Sequence, residues 1–357
     1  MKILIDVNHP AHIHYFRNFI QIMQSKGHSV LVVSRNMMIM RKLLEYYKID
    51  YRLRNKRPSN IFFKPFYALN SIIIFYKYAK TNNPDVFLGF ASFFTSFVSF
   101  ILKKKSITFD DTEHNSMNHF LYKQFTNYLF TPNCFKKKIL ASQEIFDGYM
   151  ELAYLHPNYF RPDQTIRGEL GLDDGDKYII LRFISWDATH DRGNKGLDIA
   201  FKKELIRVLS KYAKVFISSE GELLEDLKQH KIKIPPERMH DALAFAYMFI
   251  GEGATMASEC AMLGTPSVYV NSLEVGYCTE LEKKYNLIYN FRNSQGVLEK
   301  AIDLLNTSNL KQKFQKRRQK MLTDKIDVTA FMVWFIENYP ESVEIMKKNP
   351  DYQWKFK

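Results

Sequence analysis

Short apolar runs in the N-terminal part of the chain alternate with segments whose apolar residues recur at helical spacing. The short runs predict strands at residues 2–7, 29–33, 50–53, 85–89, 106–109 and 128–131. The periodic segments between them predict helices at residues 14–26, 38–47, 93–102 and 118–125. Strands that alternate with helices are typical of a parallel sheet whose two faces are covered by helices.

The same alternation begins again after residues 156–176, a polar stretch without apolar periodicity that we interpret as a linker. Beyond it, strands are predicted at residues 177–184, 214–218, 247–250 and 267–270. Helices are predicted at residues 197–212, 239–246, 256–263, 279–285, 295–305, 310–322 and 328–337. The pattern predicts an α/β protein of two tandem Rossmann-like domains, 1–160 and 161–324, with the C-terminal helix, 325–357, packing back on the first.

Length and composition agree with two folded domains. A chain of 357 residues with 46% hydrophobic and 25% charged residues can bury a full core, which excludes an intrinsically disordered protein. Its cysteines, Cys134, Cys260 and Cys278, are few and scattered, so we expect a cytoplasmic protein without a disulfide framework. The uncharged residues 86–102 approach the minimum length of a membrane span, but small polar residues interrupt them and favour a strand followed by a buried helix.

The loops beyond the carboxyl ends of the strands are candidate sites, because ligands of open parallel sheets bind there. The loop after the first strand contains His9, His12 and His14, and His12 is our candidate general base. Helix capping, packing and a His-x-His metal pair are the alternatives for these histidines. The loop after the fifth strand contributes Asp111 and Glu113, which could bind sugar hydroxyls or accept a proton; a solvated loop that caps a helix is the alternative.

The strongest local signal lies in the second half, where a predicted strand leads through a glycine-rich turn into a helix. Small residues allow a ligand to approach the backbone, and the N–H groups at a helix N-terminus bind anions. The residues that we predict to bind the diphosphate of a nucleotide here are Gly253, Ala254, Thr255 and Met256. Glu259, one turn further into the helix, is predicted to accept hydrogen bonds from ribose hydroxyls; a surface acid is the alternative.

Cations near the strand at residues 177–184 are candidate phosphate ligands. Arg182 lies at the end of this strand, and His190 and Arg192 follow in the next loop; a role in the fold is the alternative for each. Asp174 and Asp176 have the spacing of a metal-binding pair, but they precede their strand and we interpret them as a turn. We therefore predict no metal site, and we expect the helix N-terminus and the cations to neutralise the phosphates.

The excess of basic residues bears on the expected partners. The formal charge is +13, and residues 47–80 combine cations with aromatic rings. The cations assigned to an acceptor or to an anionic membrane surface are Arg54, Lys56, Arg57 and Lys64. An amphipathic helix below a basic rim is the alternative, and nucleic acid is a disfavoured partner because no recognised nucleic-acid motif is present.

Three motifs resemble those of the DUF354 family of archaeal and bacterial proteins. They are HPAHIHYF at residues 9–16, DTEH at residues 111–114, and GATMASE at residues 253–259 with LGTP at residues 263–266. The resemblance extends over nearly the whole chain. It implies the GT-B fold, in which two Rossmann-like domains are separated by a cleft, but it does not assign a reaction.

Two better-understood groups are similar in architecture. The lipid-intermediate N-acetylglucosaminyltransferases resemble the chain at Glu259, which implies ribose binding, and at His12, which implies a base. The non-hydrolysing UDP-N-acetylglucosamine 2-epimerases are similar at Glu113 and, with one inserted residue, in the loop at residues 189–192. Those epimerases also have an aspartate where this chain has Ala-Ser at residues 91–92, a difference that disfavours epimerisation.

We therefore predict a metal-independent GT-B glycosyltransferase that needs no cofactor. It would move a sugar from a nucleotide-sugar donor, expected to be UDP-linked, to a cell-surface glycan or a lipid-linked acceptor, as in polysaccharide biosynthesis. It would act in the cytoplasm, and as a peripheral protein at the inner face of the membrane where the acceptor is lipid-linked. A sugar-nucleotide epimerase and a non-catalytic binder of anionic membrane or nucleic acid are the alternative predictions.

Overall fold

The computed structural model describes residues 1–55, 64–184, 197–219 and 221–357, with the side chains of residues 64 and 65 excepted. Within these residues the chain forms two compact units. The first contains Met1–Tyr154 and Lys325–Lys357, and the second contains Leu155–Asp324. Each unit is built on one parallel β-sheet, as the sequence predicts.

In the described residues, the sheet of the first unit has seven strands. They are β1 (Lys2–Val7), β2 (Ser29–Ser34), β3 (Tyr51–Leu53), β4 (Val86–Phe90), β5 (Lys105–Phe109), β6 (Tyr128–Pro132) and β7 (Gln143–Phe146), in the order β3-β2-β1-β4-β5-β6-β7. Leu4 of the inner strand β1 lies opposite Leu31 on one side and Phe87 on the other. Since both faces of β1 are covered, residues 3–5 form an uninterrupted apolar run.

Helices cover this sheet and contribute most of the remaining core of the first unit. They are α1 (Pro10–Ser25), α2 (Met38–Tyr46), α3 (Lys64–Asn82), α4 (Phe93–Ile101), α5 (Ser116–Lys123) and the short α6 (Leu152–Leu155). Phe75 and Ala79 of α3 pack in one buried cluster with Leu4, Phe87 and Val98. Part of the basic aromatic stretch at residues 47–80 therefore belongs to the core. This agrees with the alternative interpretation of that stretch as an amphipathic helix.

The uncharged run at residues 86–102 forms β4, a turn and α4, as the sequence predicts. Ser92 begins α4, because its Oγ accepts the Thr95 N–H at 3.2 Å. None of the helices within the described ranges combines the length and the apolar composition that crossing a bilayer requires.

The second unit contains five strands in the described residues, namely β8 (Tyr178–Phe183), β9 (Lys214–Ser219), β10 (Met248–Gly251), β11 (Ser267–Val270) and β12 (Ile288–Phe291). Their order is β12-β11-β10-β8-β9. Its helices are α7 (Ile166–Glu169), α8 (Ile199–Leu209), α9 (Met239–Phe245), α10 (Ala254–Leu263), α11 (Gly276–Lys283), α12 (Val297–Asn306) and α13 (Leu310–Asp324). Because α7 buries Ile166 completely, the segment that we interpreted as an irregular linker is part of this fold.

The C-terminal segment returns to the first unit as α14 (Val328–Glu337), α15 (Glu341–Lys348) and a final 3₁₀ turn, Pro350–Phe356. Helix α14 packs against α1. The two helices are joined at the surface by Lys26 Nζ and Glu337 Oε2, 2.6 Å apart. On the inner face, Phe331 and Phe335 are buried, and Thr329 Oγ1 donates to the Ala153 carbonyl at 2.7 Å.

Candidate functional site

A buried polar network lies at the carboxyl edge of the first sheet. Asp6, near the end of β1, is fully buried, and its Oδ1 is 3.0 Å from Nη2 of Arg54, which follows β3. Its Oδ2 accepts hydrogen bonds from Asn8 Nδ2, at 2.6 Å, and from the Ser92 hydroxyl. The network joins the loops after β1, β3 and β4, so it fixes the shape of this edge.

Arg54 corrects the prediction of a basic acceptor or membrane surface. Its side chain is 1% exposed, pairs with Asp6, and places its guanidinium carbon 4.2 Å from the centroid of the Phe94 ring. A cation that is buried and already paired cannot attract an anionic surface. The other predicted members of that surface are Lys56, Arg57 and Lys64. Lys56 and Arg57 lie outside the described residues, and the side chain of Lys64 is not described.

His12 is the predicted base, and it lies half-buried in the first turn of α1. Its Nδ1 accepts the backbone N–H of Asn8 at 3.3 Å. Its ring lies 4.9 Å from the ring of Phe90 and is stacked on that of Tyr15 at 6.0 Å. Burial, together with the nearby His9 and Arg54, lowers the pKa of His12 well below its usual value, so the ring is neutral at physiological pH.

The other two histidines of this loop have contacts that belong to the fold. The His9 ring caps α1, because Nδ1 accepts the Ala11 N–H at 3.2 Å. His14 is 7% exposed, and its ring stacks on that of Tyr154 at 5.3 Å. The structure therefore supports capping and packing for these two residues and leaves His12 as the candidate for chemistry.

The loop after β5 contains a second cluster, centred on the fully buried Asp110. Asp110 Oδ2 accepts the Tyr122 hydroxyl at 2.6 Å and lies 3.2 Å from His119 Nε2. Its Oδ1 accepts the Thr112 N–H at 2.9 Å. Sequence reasoning did not single out His119 or Tyr122, although the two lie one turn apart on α5, the helix that follows the acidic loop.

Asp111 lies in surroundings that suit an acid–base group. Its side chain is 6% exposed, and Thr112 Oγ1 donates to its Oδ1 at 3.0 Å. Burial, followed by the repulsion of Asp110 and Glu113, raises the pKa of Asp111 to about 7. A carboxyl group with this pKa can take up or release a proton near neutral pH.

Glu113 is partly committed to the fold. It is 7% exposed, and its Oε1 accepts the backbone N–H of Lys136 at 2.8 Å. Its own carbonyl accepts Lys137 Nζ at 2.8 Å. Glu113 thus fastens the loop that follows β6, and we prefer Asp111 as the acid–base candidate.

In the second unit the predicted glycine-rich turn joins β10 to α10. Gly251 is required there, because a Cβ atom would lie 2.7 Å from Arg182 Cβ on the adjacent strand. Gly253 is the N-cap of α10 and has no side chain with which to satisfy the first N–H groups. The residues that remain half-exposed and present this helix N-terminus are Gly253, Ala254, Thr255 and Met256, as the diphosphate prediction requires.

Arg182 is held beside this turn. It lies opposite Gly251 in the β8–β10 register, and its Nη1 donates to Ser218 Oγ at 2.9 Å. The two other predicted cations, His190 and Arg192, lie in residues 185–196, outside the described ranges.

Glu252 is a structural anchor that the sequence analysis did not recognise. It is fully buried, and its carboxylate accepts the backbone N–H groups of Ile184, at 3.1 Å, and Leu197, at 2.6 Å. Lys202 Nζ lies 3.4 Å from the same carboxylate. Glu252 therefore ties the end of β8 and the start of the segment before α8 to the glycine-rich turn.

Glu259 is buried and not a surface acid. It is 5% exposed, and its Oε1 lies 3.0 Å from Nε2 of His240, which is 3% exposed and belongs to α9. Sequence reasoning missed His240, because it precedes the glycine-rich turn and lies in a helix without a recognisable motif. A ligand hydroxyl that binds Glu259 would join a carboxylate whose orientation His240 already fixes.

Cavities of the second unit occur at both edges of its sheet. One of about 240 Å³ lies beyond the carboxyl ends of β11 and β12, where Asn271, Glu274, Asn290 and Arg292 line it. A more open one of about 770 Å³ lies at the amino ends of β8 and β9. The smaller cavity is the one on the edge that carries the glycine-rich turn, which is the ligand-binding edge of such sheets.

The described ranges contain no group of three or more His, Cys, Asp or Glu side chains arranged to hold a metal ion. Asp176, one half of the apparent metal motif, accepts the Asp173 N–H at 3.0 Å and pairs with Lys214 at 2.8 Å. It therefore closes a turn, as the sequence predicts.

Comparison with known proteins shows a relative in sequence and relatives in fold. An uncharacterised protein of Methanocaldococcus jannaschii is 24% identical over 279 residues, which is 75% of this chain and 81% of that protein. A UDP-GlcNAc 2-epimerase from Neisseria meningitidis bound to UDP-GlcNAc is 13% identical, with a TM-score of 0.65 over 88% of this chain and 94% of its own. The glycosyltransferase SsfS6 of Streptomyces sp. SF2575, complexed with thymidine diphosphate, is 12% identical, with a TM-score of 0.61 over 94% and 99%.

These likenesses show that the fold is GT-B, as the sequence motifs imply. The model of the DUF354 family, described as "protein of unknown function", matches residues 1–341. The chain therefore belongs to the DUF354 family.

Proposed function

We propose that this protein is a glycosyltransferase that moves a sugar from a nucleotide-sugar, with UDP as the expected nucleotide, to a glycan or lipid-linked acceptor. The observation that carries the proposal is the β10–α10 turn. It combines a half-exposed helix N-terminus at Gly253–Met256, the cation of Arg182 on the adjacent strand and the oriented carboxylate of Glu259. The N–H groups and the cation suit a diphosphate, and the carboxylate suits vicinal ribose hydroxyls.

The same residues would assist departure of the nucleoside diphosphate. Negative charge develops on the leaving oxygen as the glycosidic bond breaks, and a fixed helix N-terminus with a cation stabilises it without reorganisation. Arg182 is suited to this role because Ser218 and the β8–β10 register hold it in place. A bound metal ion is not needed for the step in this proposal.

In the first unit, Asp111 is our proposed base. It would accept the proton of the acceptor hydroxyl as that oxygen attacks the anomeric carbon. Its pKa of about 7 gives it a substantial ionised fraction at neutral pH together with useful basicity. Glu113 keeps the role of binding and orientation, since Lys136 already occupies one of its oxygens.

A sugar-nucleotide epimerase is the second candidate, and the acidic loop after β5 favours it. Epimerisation by elimination and readdition needs several groups that transfer protons, and Asp110, Asp111 and Glu113 are three neighbouring buried acids. Against it stands Ser92, which occupies the region where the similar epimerases have an aspartate and which donates its hydroxyl to Asp6. We therefore rank the transferase first.

The test is a mass-detected screen of purified protein with UDP-, dTDP-, GDP- and CMP-sugars, with and without candidate acceptors. Turnover that requires an acceptor supports the transferase. Conversion to an isomeric sugar without any acceptor supports the epimerase. Absence of nucleotide-sugar binding in calorimetry would contradict both.

A further inference from the structure

The loop between β1 and α1 fixes the position of the proton on the His12 ring. The Asn8 backbone N–H donates to Nδ1 at 3.3 Å, and among the described residues no other hydrogen bond reaches this ring. A nitrogen that accepts a hydrogen bond carries a lone pair and no proton. In the neutral ring the proton must therefore reside on Nε2.

The donor of this hydrogen bond is itself held by a buried ion pair. Asn8 Nδ2 donates to Asp6 Oδ2 at 2.6 Å, and Asn8 Oδ1 accepts Arg54 Nη2. Rotating the amide by half a turn would place its NH₂ group against the guanidinium and its oxygen against the carboxylate. The Asp6–Arg54 pair thus allows one orientation of the Asn8 side chain.

We infer that His12 is a fixed hydrogen-bond donor, which presents Nε2–H to an oxygen of the ligand that carries or develops negative charge, and that Asp6, Asn8 and Arg54 are the residues that position it. This inference rests on the proposed function for the identity of the ligand, a nucleotide-sugar or its acceptor. The position of the proton on the ring follows from contacts within the first unit and does not depend on the proposed function.

The charges around the ring agree with this role. His9 and Arg54 both disfavour a positive charge on His12, Asp6 is paired with Arg54, and the ring of Tyr15 stacks on that of His12. Burial lowers the pKa of His12 further. To act as a base, the ring would have to gain its proton at Nδ1, where the Asn8 N–H lies. Proton uptake from the acceptor is therefore assigned to Asp111, and stabilisation of an anionic oxygen to His12.

Nitrogen-15 NMR of the histidine side chains tests the tautomer without any substrate. The His12 signals are identified by their loss in the His12→Gln variant. We expect the neutral Nε2–H form throughout pH 6 to 8. A neutral Nδ1–H ring, or an imidazolium at pH 7, would overturn the inference. Asn8→Ala keeps the backbone N–H but removes the side-chain anchor, and we expect it to give a mixture of the two tautomers.

Kinetics of three substitutions test the role. A glutamine at position 12 retains an N–H donor at about the distance of the histidine Nε2–H. A glutamate of similar length offers only an acceptor at neutral pH, and an alanine offers neither. We expect kcat/KM to fall about tenfold in His12→Gln and more than about a hundredfold in His12→Glu and His12→Ala, as on removal of an oxyanion donor. Losses as large in His12→Gln as in His12→Ala would show that the imidazole is needed as a base. If the wild type processes no nucleotide-sugar, the proposed function fails, while the NMR experiment still decides the state of His12.

Discussion

Replacing Gly253 by Asp separates binding of a diphosphate from stability of the fold. Gly253 is the N-cap of α10, with φ −94° and ψ 117°, a conformation that Asp and Asn also adopt. A Cβ atom there meets Ile184 Cγ2 at 3.7 Å and Arg182 Cγ at 3.8 Å, which are ordinary contacts. The new side chain can accept a helix N–H, so the free energy of unfolding should change by only a few tenths of a kcal/mol.

The ligand should respond much more strongly. A carboxylate about 5 Å from one phosphate charge, at an effective dielectric constant of about 20, repels it by roughly 3 kcal/mol. The carboxylate would also compete for Arg182. We therefore expect the Kd for UDP to rise at least about a hundredfold.

The matched control is Gly253→Asn, which has the same shape and the same capping ability but no charge. Calorimetry at low salt should give a Kd for this variant far closer to that of the wild type. Added salt should narrow the gap between the Asp and Asn variants, because it screens the repulsion. Equal UDP affinity of the two variants at low salt would refute the placement of a diphosphate at this helix N-terminus.

Three further predictions concern the acid–base group, the ribose contact and metal ions. The pKa of Asp111 is raised to about 7 in the folded protein. The folded protein therefore keeps a proton that the unfolded chain releases from about pH 4 upward. As a result, the free energy of unfolding should fall as the pH rises from about 4 to about 7. In the Asp111→Asn variant, urea titrations should show a smaller decrease of the free energy of unfolding with pH, and turnover should be abolished at every pH. If the free energy of unfolding depends on pH in the variant as it does in the wild type, the assignment is contradicted. Glu259→Gln, which can still bond to His240, should weaken UDP binding by about 1.5–3 kcal/mol with little loss of thermal stability, whereas Glu259→Ala should also lower the melting temperature. Treatment with EDTA should leave activity intact, and recovery with magnesium or manganese after a loss would reveal a metal site.

The alternation of strands and helices could be predicted because each element has its own apolar pattern within a short segment of the chain. The apolar runs at residues 3–5 of β1 and 178–181 of β8 are buried on both faces, and each is followed by a polar residue, Asp6 or Arg182, near the end of its strand. The missed strands, β7 and β12, form the outer edges of their sheets and are only partly buried. An edge strand needs few apolar residues, and its sequence resembles that of a loop.

The start of one helix also differs from the predicted start. Helix α1 begins at Pro10, before the predicted start at residue 14, because proline fits the first turn and the His9 ring acts as the cap. Histidine is not among the residues usually expected to cap a helix. Helix capping was one alternative for the histidines of this loop, but the pattern could not show which ring acts as the cap or that the helix begins at Pro10.

The candidate site was predicted only as far as its residues are neighbours in the chain. The glycine-rich turn could be recognised because strand, turn and helix follow one another. The partners that set charge and orientation come from distant segments: Asp6 pairs with Arg54, and His240 with Glu259. Arg54 was assigned to the surface for this reason, since a sequence shows the charge of a residue but not the opposite charge that the fold brings to it.

The return of the C-terminal segment to the first unit has a consequence for biosynthesis. Ile326 donates its N–H to the Asp147 carbonyl at 3.0 Å, and the Phe331 side chain is fully buried. Synthesis proceeds from the N-terminus, so the residues that cover this part of the first unit leave the ribosome after the second unit. The second unit, an uninterrupted segment, is available to fold before them. Until α14 has been synthesised, the nascent first unit exposes the apolar surface that this helix will cover, and we expect aggregation or chaperone binding to be favoured in that interval.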